Sequence, residues 1–259
     1  MSFTIPFGTA PLDRRSCDEE PGHEILNAPG TRSGVWGCTL QTLEPLSIKA
    51  EFEKLSKGHV AYVPGSSIRG MVRNVAEMIG AGCGRYYEDG QKLPPELEVC
   101  GQAAACPVCR IFGFTEGDYS WASKVRFSDT KLVETRLTRL LAPNTRESVE
   151  NNGRGWRTFR SYGGAYGNGS PVWSAEKGVN FRFRAHYINL TEDQYDLLLF
   201  ALTLQDGEMK LVHKLGYGKS LDLGACLIWV DGNPAPGASV RKYLDRPGYS
   251  QYFRRERGQ

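Results

Sequence analysis

The chain has 259 residues, above the usual size of one domain and below that of two full ones. Lys and Arg total 32 against 29 Asp and Glu, a formal charge of +3, which excludes a histone-like tail and an acidic disordered chain. Most of those 32 basic residues are Arg, whose planar fork suits phosphates and base edges.

The N-terminus, MSFTIPFGTAPLDRRSC, lacks the charged-then-apolar pattern of a signal peptide, and the longest apolar stretch, near Leu197–Leu204, is far too short to span a membrane. A soluble, cytoplasmic protein with no membrane partner is expected. Its seven cysteines are then expected to be free of disulfides, because that compartment is reducing.

Residues 1–34 are rich in Gly, Pro and charge and read as an N-terminal arm that lies over another part of the molecule. VWGCTLQTLEPLSI, from Val35 to Ile48, reads as a strand. After a loop, Pro64-Gly65 signals a turn and Ser66 or Ser67 can cap a helix, in which Ile68, Met71, Val72, Val75, Met78 and Ile79 recur at helical spacing. Residues 83–122 form a Cys-, Gly- and Pro-punctuated insertion, and Ser123–Val133 reads as a second strand. Residues 134–178 form another long insertion, rich in Arg and Gly, with the length of a functional loop.

Next comes the cleanest strand pattern in the chain. Val179, Phe181, Phe183, Ala185 and Tyr187 alternate with Asn180, Arg182, Arg184 and His186. Thr191-Glu-Asp-Gln194 fits a capping box that opens a helix to about Leu204. A Gly-rich loop and a last strand, ACLIWV at 225–230, follow, and residues 231–259 form a basic tail. The order β, α, β, β, α, β is the ferredoxin-like plan, an α+β fold whose four-stranded antiparallel sheet carries two helices on one face and leaves the other free.

Four segments carry chemistry. In PGSSIRGMVRN, a helix start offers unsatisfied N–H groups, Ser66 and Ser67 add hydroxyls, and Arg69 and Arg73 share one face at i, i+4 spacing. A two-phosphate clamp is one reading; a capped amphipathic helix with two solvated Arg is the other. In HKLGYGKSLDLG, Gly-Lys-Ser at 218–220 is no Walker loop, because His213 stands where its first Gly belongs and the segment leads from a helix into a strand. It remains a Gly-rich turn, with His213, Lys214, Gly216, Tyr217, Gly218 and Lys219, able to cradle a phosphate backbone.

Cys106-Pro-Val-Cys109 is a C-x2-C knuckle, with Cys100 and Cys83 upstream, a spacing that suits a structural tetrahedral zinc. His59 is an alternative to Cys83, and a buried or redox cysteine pair is the alternative to the metal. In RGWRTFRSYGGAYGNG, Arg154, Arg157 and Arg160 interleave with aromatics, as phosphates with stacked bases require; a plain surface loop has the same composition.

YVPGSSIRGMVRN, CPVCRIFG, VRFSD and HKLGYGKSLDLG, in this order, resemble the RAMP superfamily of CRISPR-associated proteins, in particular the single-domain backbone subunits of type III (III-D-like) effector complexes. The resemblance implies a ferredoxin-like, RNA-recognition-type palm over residues 35–230 that holds CRISPR guide RNA and meets complementary target RNA. It places Ser66, Ser67, Arg69, Arg73 and the loop Gly216–Lys219 on the RNA side. It further implies a zinc-binding insertion at 83–122, a thumb-like insertion at 134–178 and stacking with other effector subunits along the guide.

Some members of that family cut target RNA with an Asp and a divalent metal such as Mg2+ in the loop after the first strand. Here that loop has only Glu51 and Glu53, with Asp13 as a further candidate from the arm. A guide-binding subunit is therefore the leading expectation, a metal-dependent endoribonuclease the second, and a guide-processing endoribonuclease with a His base the third.

Overall fold

The computed structural model describes residues 2–6, 14–48, 62–77, 79, 82–83, 99–132, 137–141, 149–151, 156–160, 171–206, 209–210, 212–219 and 223–237. At 2–6, 132, 137–141, 149–151, 156–160, 171–172, 206 and 209–210 it describes the backbone alone.

In chain order the strands are β1 (Ser2–Pro6), β2 (Arg32–Thr42), β3 (Phe114–Glu116), β4 (Tyr119–Trp121), β5 (Val125–Phe127), β6 (Lys131–Leu132), β7 (Leu137–Leu141), β8 (Val149–Asn151), β9 (Trp156–Arg160), β10 (Pro171–Ala175), β11 (Asn180–Leu190), β12 (Gln205–Asp206), β13 (Met209–Lys210), β14 (His213–Lys214) and β15 (Ala225–Val230). The helices are α1 (Gly65–Ala76), α2 (Pro107–Phe112) and α3 (Glu192–Thr203).

The fold is mixed α/β around one antiparallel sheet. Its strand order is β14-β15-β2-β11-β5, and β6 also pairs with β11. The alternation in β11 sets the layers. Phe181, Phe183 and Ala185 are buried while Arg182, Arg184 and His186 are exposed. Trp36, Cys38 and Leu40 of β2 and Cys226, Ile228 and Val230 of β15 join the buried side.

Helices α1 and α3 pack on that side and on each other. The apolar row Ile68, Met71, Val72, Val75 and Ala76 makes α1 amphipathic. In α3, Thr191 and Gln194 form the expected reciprocal cap, and Leu197 through Leu202 are buried without a break. That helix is apolar all round because α1, α2 and the sheet surround it.

Three boundaries differ from the sequence reading. Strand β2 starts at Arg32, inside the expected arm, and stops at Thr42, where Pro45 soon follows without an N–H for the ladder. The expected second strand breaks into β5 and β6, because Ser128-Asp129-Thr130 turns aside to hold the start of α1. Gly65 N donates to Asp129 Oδ1 at 2.8 Å, and Val63 N donates to Thr130 Oγ1 at 2.8 Å. The long second insertion is not structureless. Strand β7 pairs with β10, and β8 and β9 form a sheet that β1 completes from the N-terminus. Among the described residues, no helix is long and apolar enough to cross a membrane.

The arm is anchored by two polar side chains. Asn189 holds a left-handed backbone (φ 49°); its Nδ2 donates to the carbonyls of Gly22 and Ile25, and its Oδ1 accepts from Ala28 N. Glu20 is buried. Its carboxylate accepts from Arg110, from Lys124 Nζ at 2.7 Å and from Gln194 Nε2 at 2.8 Å. Burial pushes this carboxyl up, but the Arg110 and Lys124 charges beside it outweigh burial and hold it below its ordinary value.

Replacing Glu20 with Ala leaves two buried cations uncompensated and is expected to cost about 3–5 kcal/mol in a urea unfolding series near neutral pH. A group held below its ordinary value stabilises above the unfolded value, about 4.3 for Glu, and loses that contribution as pH falls through the folded value. The stability gap between wild type and Glu20→Gln should therefore close in acid; a gap constant with pH would contradict the ion-pair account.

Candidate nucleic-acid interface and metal centre

The PGSSIRG segment forms the first turns of α1. Gly65 has no room for a side chain, because a Cβ there would lie 2.0 Å from the Phe127 carbonyl oxygen. Pro64 is the N-cap residue and makes no side-chain cap bond. The cap comes instead from Asp129, so the expected Ser66 or Ser67 cap is corrected, and one helix-start N–H already faces a carboxylate. Ser66 is exposed and Ser67 half-buried in the first turn.

Arg69 and Arg73 share a face as their spacing requires, but that face packs on the cysteine insertion. Arg69 donates to the Phe112 carbonyl and lies over the Phe112 ring, 5.7 Å from its centroid. Arg73 donates to Glu77 at 2.8 Å, to the Gly113 carbonyl at 3.2 Å and to Cys109 Sγ at 3.8 Å, and its side chain is only 11% exposed. These guanidinium groups brace the insertion, so neither is the freely solvated side chain of the plainer reading.

In that insertion Cys83, Cys100, Cys106 and Cys109 are all buried, and their sulfurs lie within 4.8 Å of one another. Cys83 and Cys109 Sγ are 3.7 Å apart. A regular zinc tetrahedron with Zn–S of about 2.3 Å places its sulfurs ~3.8 Å apart, so this donor set fits such an ion. Backbone amides point at the sulfurs, Cys106 N to Cys100 Sγ at 3.1 Å and Cys109 N to Cys106 Sγ at 3.4 Å. Hydrogen bonds from the other three thiols pull Cys83 down, whereas burial first and its neighbours next push Cys106 well up. Cys106 also caps α2, whose Pro107 suits the first helical position. The other cysteines, Cys17, Cys38 and Cys226, are buried and unpaired by disulfides.

The Gly-rich loop is built by close backbone approach. Gly216 and Gly224 have φ of +86° and +75°, and a Cβ on either would lie 2.3 Å from Ser47 O or 1.9 Å from Leu215 O. Tyr217 N donates to Ser47 O, and Gly224 N to Pro45 O, so the loop is tied to the segment that leaves β2. On this scaffold Lys214, Lys219 and Tyr217 are exposed, while Gly216 is half-buried and Gly218 buried. His213 is the correction. It is 1% exposed, its Nε2 lies 2.9 Å from the Leu202 carbonyl, and burial pushes its imidazole down to about 4. A neutral, buried ring neither contacts RNA nor serves as an accessible base.

Arg157 and Arg160 stand in β9 opposite Ile5 and Ser2 of β1, with the backbone alone described. Arg154, Glu51, Glu53, Asp13 and His59 lie outside the described residues. Asp129 and Glu20 were missed as organising residues. For Asp129 a signal existed, since VRFSD was singled out as a motif; for Glu20 there was none, because its partners are remote in sequence.

The sequence model of the RAMP superfamily matches residues 39–224. The chain belongs to the RAMP superfamily. No curated protein matches its sequence. Among solved structures, Thermofilum pendens Csc2 aligns with a TM-score of 0.44 at 14% identity over 93% of this RAMP chain and 81% of its own. A chain of a Type IV-B CRISPR complex aligns with a TM-score of 0.45 at 15% identity over 87% of this chain and 100% of its own.

In this RAMP protein the brace from α1 has a direct readout. Arg73→Ala should speed the reaction of the four clustered thiols with a disulfide reagent in chelator-treated protein, with Cys38 and Cys226 little changed. Equal rates in variant and wild type would show that Arg73 does not hold the insertion.

Proposed function

We propose that this protein is a guide-RNA-binding backbone subunit of a type III CRISPR ribonucleoprotein effector, which presents the guide to complementary target RNA and stacks with other effector subunits. One observation carries the reading: the superfamily match spans a Gly-rich loop whose exposed Lys214, Tyr217 and Lys219 sit on a backbone that only glycine permits. Cations and an aromatic on a rigid turn suit a phosphate backbone with a stacked base. The ordered motifs YVPGSSIRG, CPVCRIFG, VRFSD and HKLGYGKSLDLG support it as well.

The core is read as ferredoxin-like. In its support, β2, α1, β5 with β6, β11, α3 and β15 follow one another in the β, α, β, β, α, β order, with both helices on one side of the sheet. The four cysteines are read as a structural zinc site. A closed set of four protein ligands leaves no position for substrate, and the ion would order an insertion with little core of its own. The strands β7 to β10 are read as the thumb-like part. The site of action is read as cytoplasmic.

Two measurements test this. Elemental analysis should find about one zinc per chain, and Cys106→Ser should lose the metal and the order of the insertion together. Zinc-free wild-type protein with the same unfolding midpoint would remove the zinc reading. In filter binding with guide RNA, Lys219→Ala should lower affinity regardless of sequence and reduce the salt slope by ~0.7 for the lost phosphate contact. An unchanged slope would remove the loop from the RNA path.

A further inference from the structure

The four clustered cysteines are attached to α1 at two points. The first is backbone. Gly82 immediately precedes Cys83, and a Cβ at Gly82 would lie 2.9 Å from Glu77 Cα and 2.7 Å from its Cγ. The chain therefore lies flat against the C-cap residue of α1 as it delivers Cys83 to the cluster. The second is a side chain. Arg73, one turn before Glu77, spreads its guanidinium over three acceptors. Its Nε donates to Glu77 Oε1 at 2.8 Å, its Nη1 to the Gly113 carbonyl at 3.2 Å and its Nη2 to Cys109 Sγ at 3.8 Å.

Three features distinguish Arg73 from a residue that only packs. First, it supplies a donor where the neighbouring amides do not. Cys106 N donates to Cys100 Sγ and Cys109 N to Cys106 Sγ, and Arg73 serves Cys109 Sγ. Second, the fork is fixed. Glu77 and Gly113 hold two of its nitrogens, and a planar guanidinium held at two corners has its third corner set. The Arg73 and Glu77 side chains are 11% and 5% exposed, so water competes little for these bonds. Third, the charge is of the right sign. The four cysteines are buried, and as thiolates around a divalent ion they would carry net negative charge that buried surroundings cannot solvate.

We infer that Arg73 is a positioning residue of the four-cysteine metal centre: by donating to Cys109 Sγ it fixes that ligand and slows release of the ion. The inference rests on the zinc reading above and deepens it, since retention of the metal then depends on α1 and not on the insertion alone. A donor on a ligand sulfur draws charge from it and orients it, and outer-shell partners of this kind are worth about 10- to 100-fold in metal affinity. A plain brace would hold the insertion without altering the sulfur's electrons.

The test pairs transfer of zinc from the loaded full-length chain to a chromophoric chelator with the absorption spectrum of the cobalt(II)-loaded chain. Arg73→Ala should speed zinc transfer about tenfold. It should also move the sulfur-to-cobalt charge-transfer band to longer wavelength, because a sulfur without its donor gives up an electron more readily. Arg73→Lys keeps the charge and the aliphatic stem but cannot serve Glu77, Gly113 and Cys109 together. It should show the same direction of band shift with a smaller rise in transfer rate, and it answers the question if the Ala variant fails to fold. Faster transfer with an unmoved band would mark a structural brace and overturn the inference. If wild type holds the ion and both variants match its rate and spectrum, the inference falls and the zinc reading stands. If wild type takes up neither zinc nor cobalt, both fall.

Discussion

The Glu20 carboxylate is the point on which the assembly of separate segments depends. It receives Arg110 from the cysteine insertion, Lys124 from the lead-in to β5 and Gln194 from the first turn of α3. None of these cations has access to water that would solvate it alone. Lys124 is buried, and burial pulls its ammonium below the ordinary lysine value despite Glu20 beside it. Isolated buried charge is far more costly than the paired arrangement, so the arm, the insertion and the core have one way to come together. A buried pair of this kind adds less to net stability than an apolar replacement can. What it adds here is correspondence. Gln194 serves the helix cap and the carboxylate at once, so the start of α3 and the seat of the arm are a single hydrogen-bonded unit.

A second constraint runs through α1. Its start is held by Asp129 and Thr130 from the segment after β5, and its flank by Arg69 and Arg73 against the insertion. The two Arg that gave this helix the look of a phosphate clamp therefore also hold protein partners, while Ser66 stays exposed. Among the described residues, exposed Lys214 and Lys219 lie on the Gly-rich loop, and exposed Arg126, Lys131, Arg182 and Arg184 on the open side of the sheet. The same Arg73 reaches Cys109 Sγ. Were the four cysteines to hold a divalent ion as thiolates, they would carry excess negative charge, and the Arg73 guanidinium would offset it.

Local chemistry was legible in the sequence wherever a short period or a fixed offset determines it. The alternation in β11 fixed both faces of that strand, and Thr191 with Gln194 announced the cap of α3. The C-x2-C pair Cys106 and Cys109 came together with Cys100 and Cys83, although the spacing had left His59 as an alternative to Cys83. Chemistry that depends on a remote partner was not legible. The i, i+4 spacing of Arg69 and Arg73 says that they share a face, and nothing about what covers it. His213 was placed among loop cations because its neighbours are cations. In fact it begins β14 opposite the buried Cys226, so strand period turns it inward and sends Lys214 outward.

That inversion at His213 and Lys214 bears on how the loop and the sheet relate. A strand of two residues has one side chain for each face. His213 fills a buried position beside Leu202 of α3, and this leaves Lys214 no choice but the open side. The glycines that follow then return the chain to β15 through left-handed turns, so the loop cannot tilt away from the sheet without breaking the bonds to Pro45 and Ser47. The core packing of one histidine thus sets the direction in which the loop's cations point. Loop and open face form one continuous surface because the hydrophobic side of the same strands is already filled.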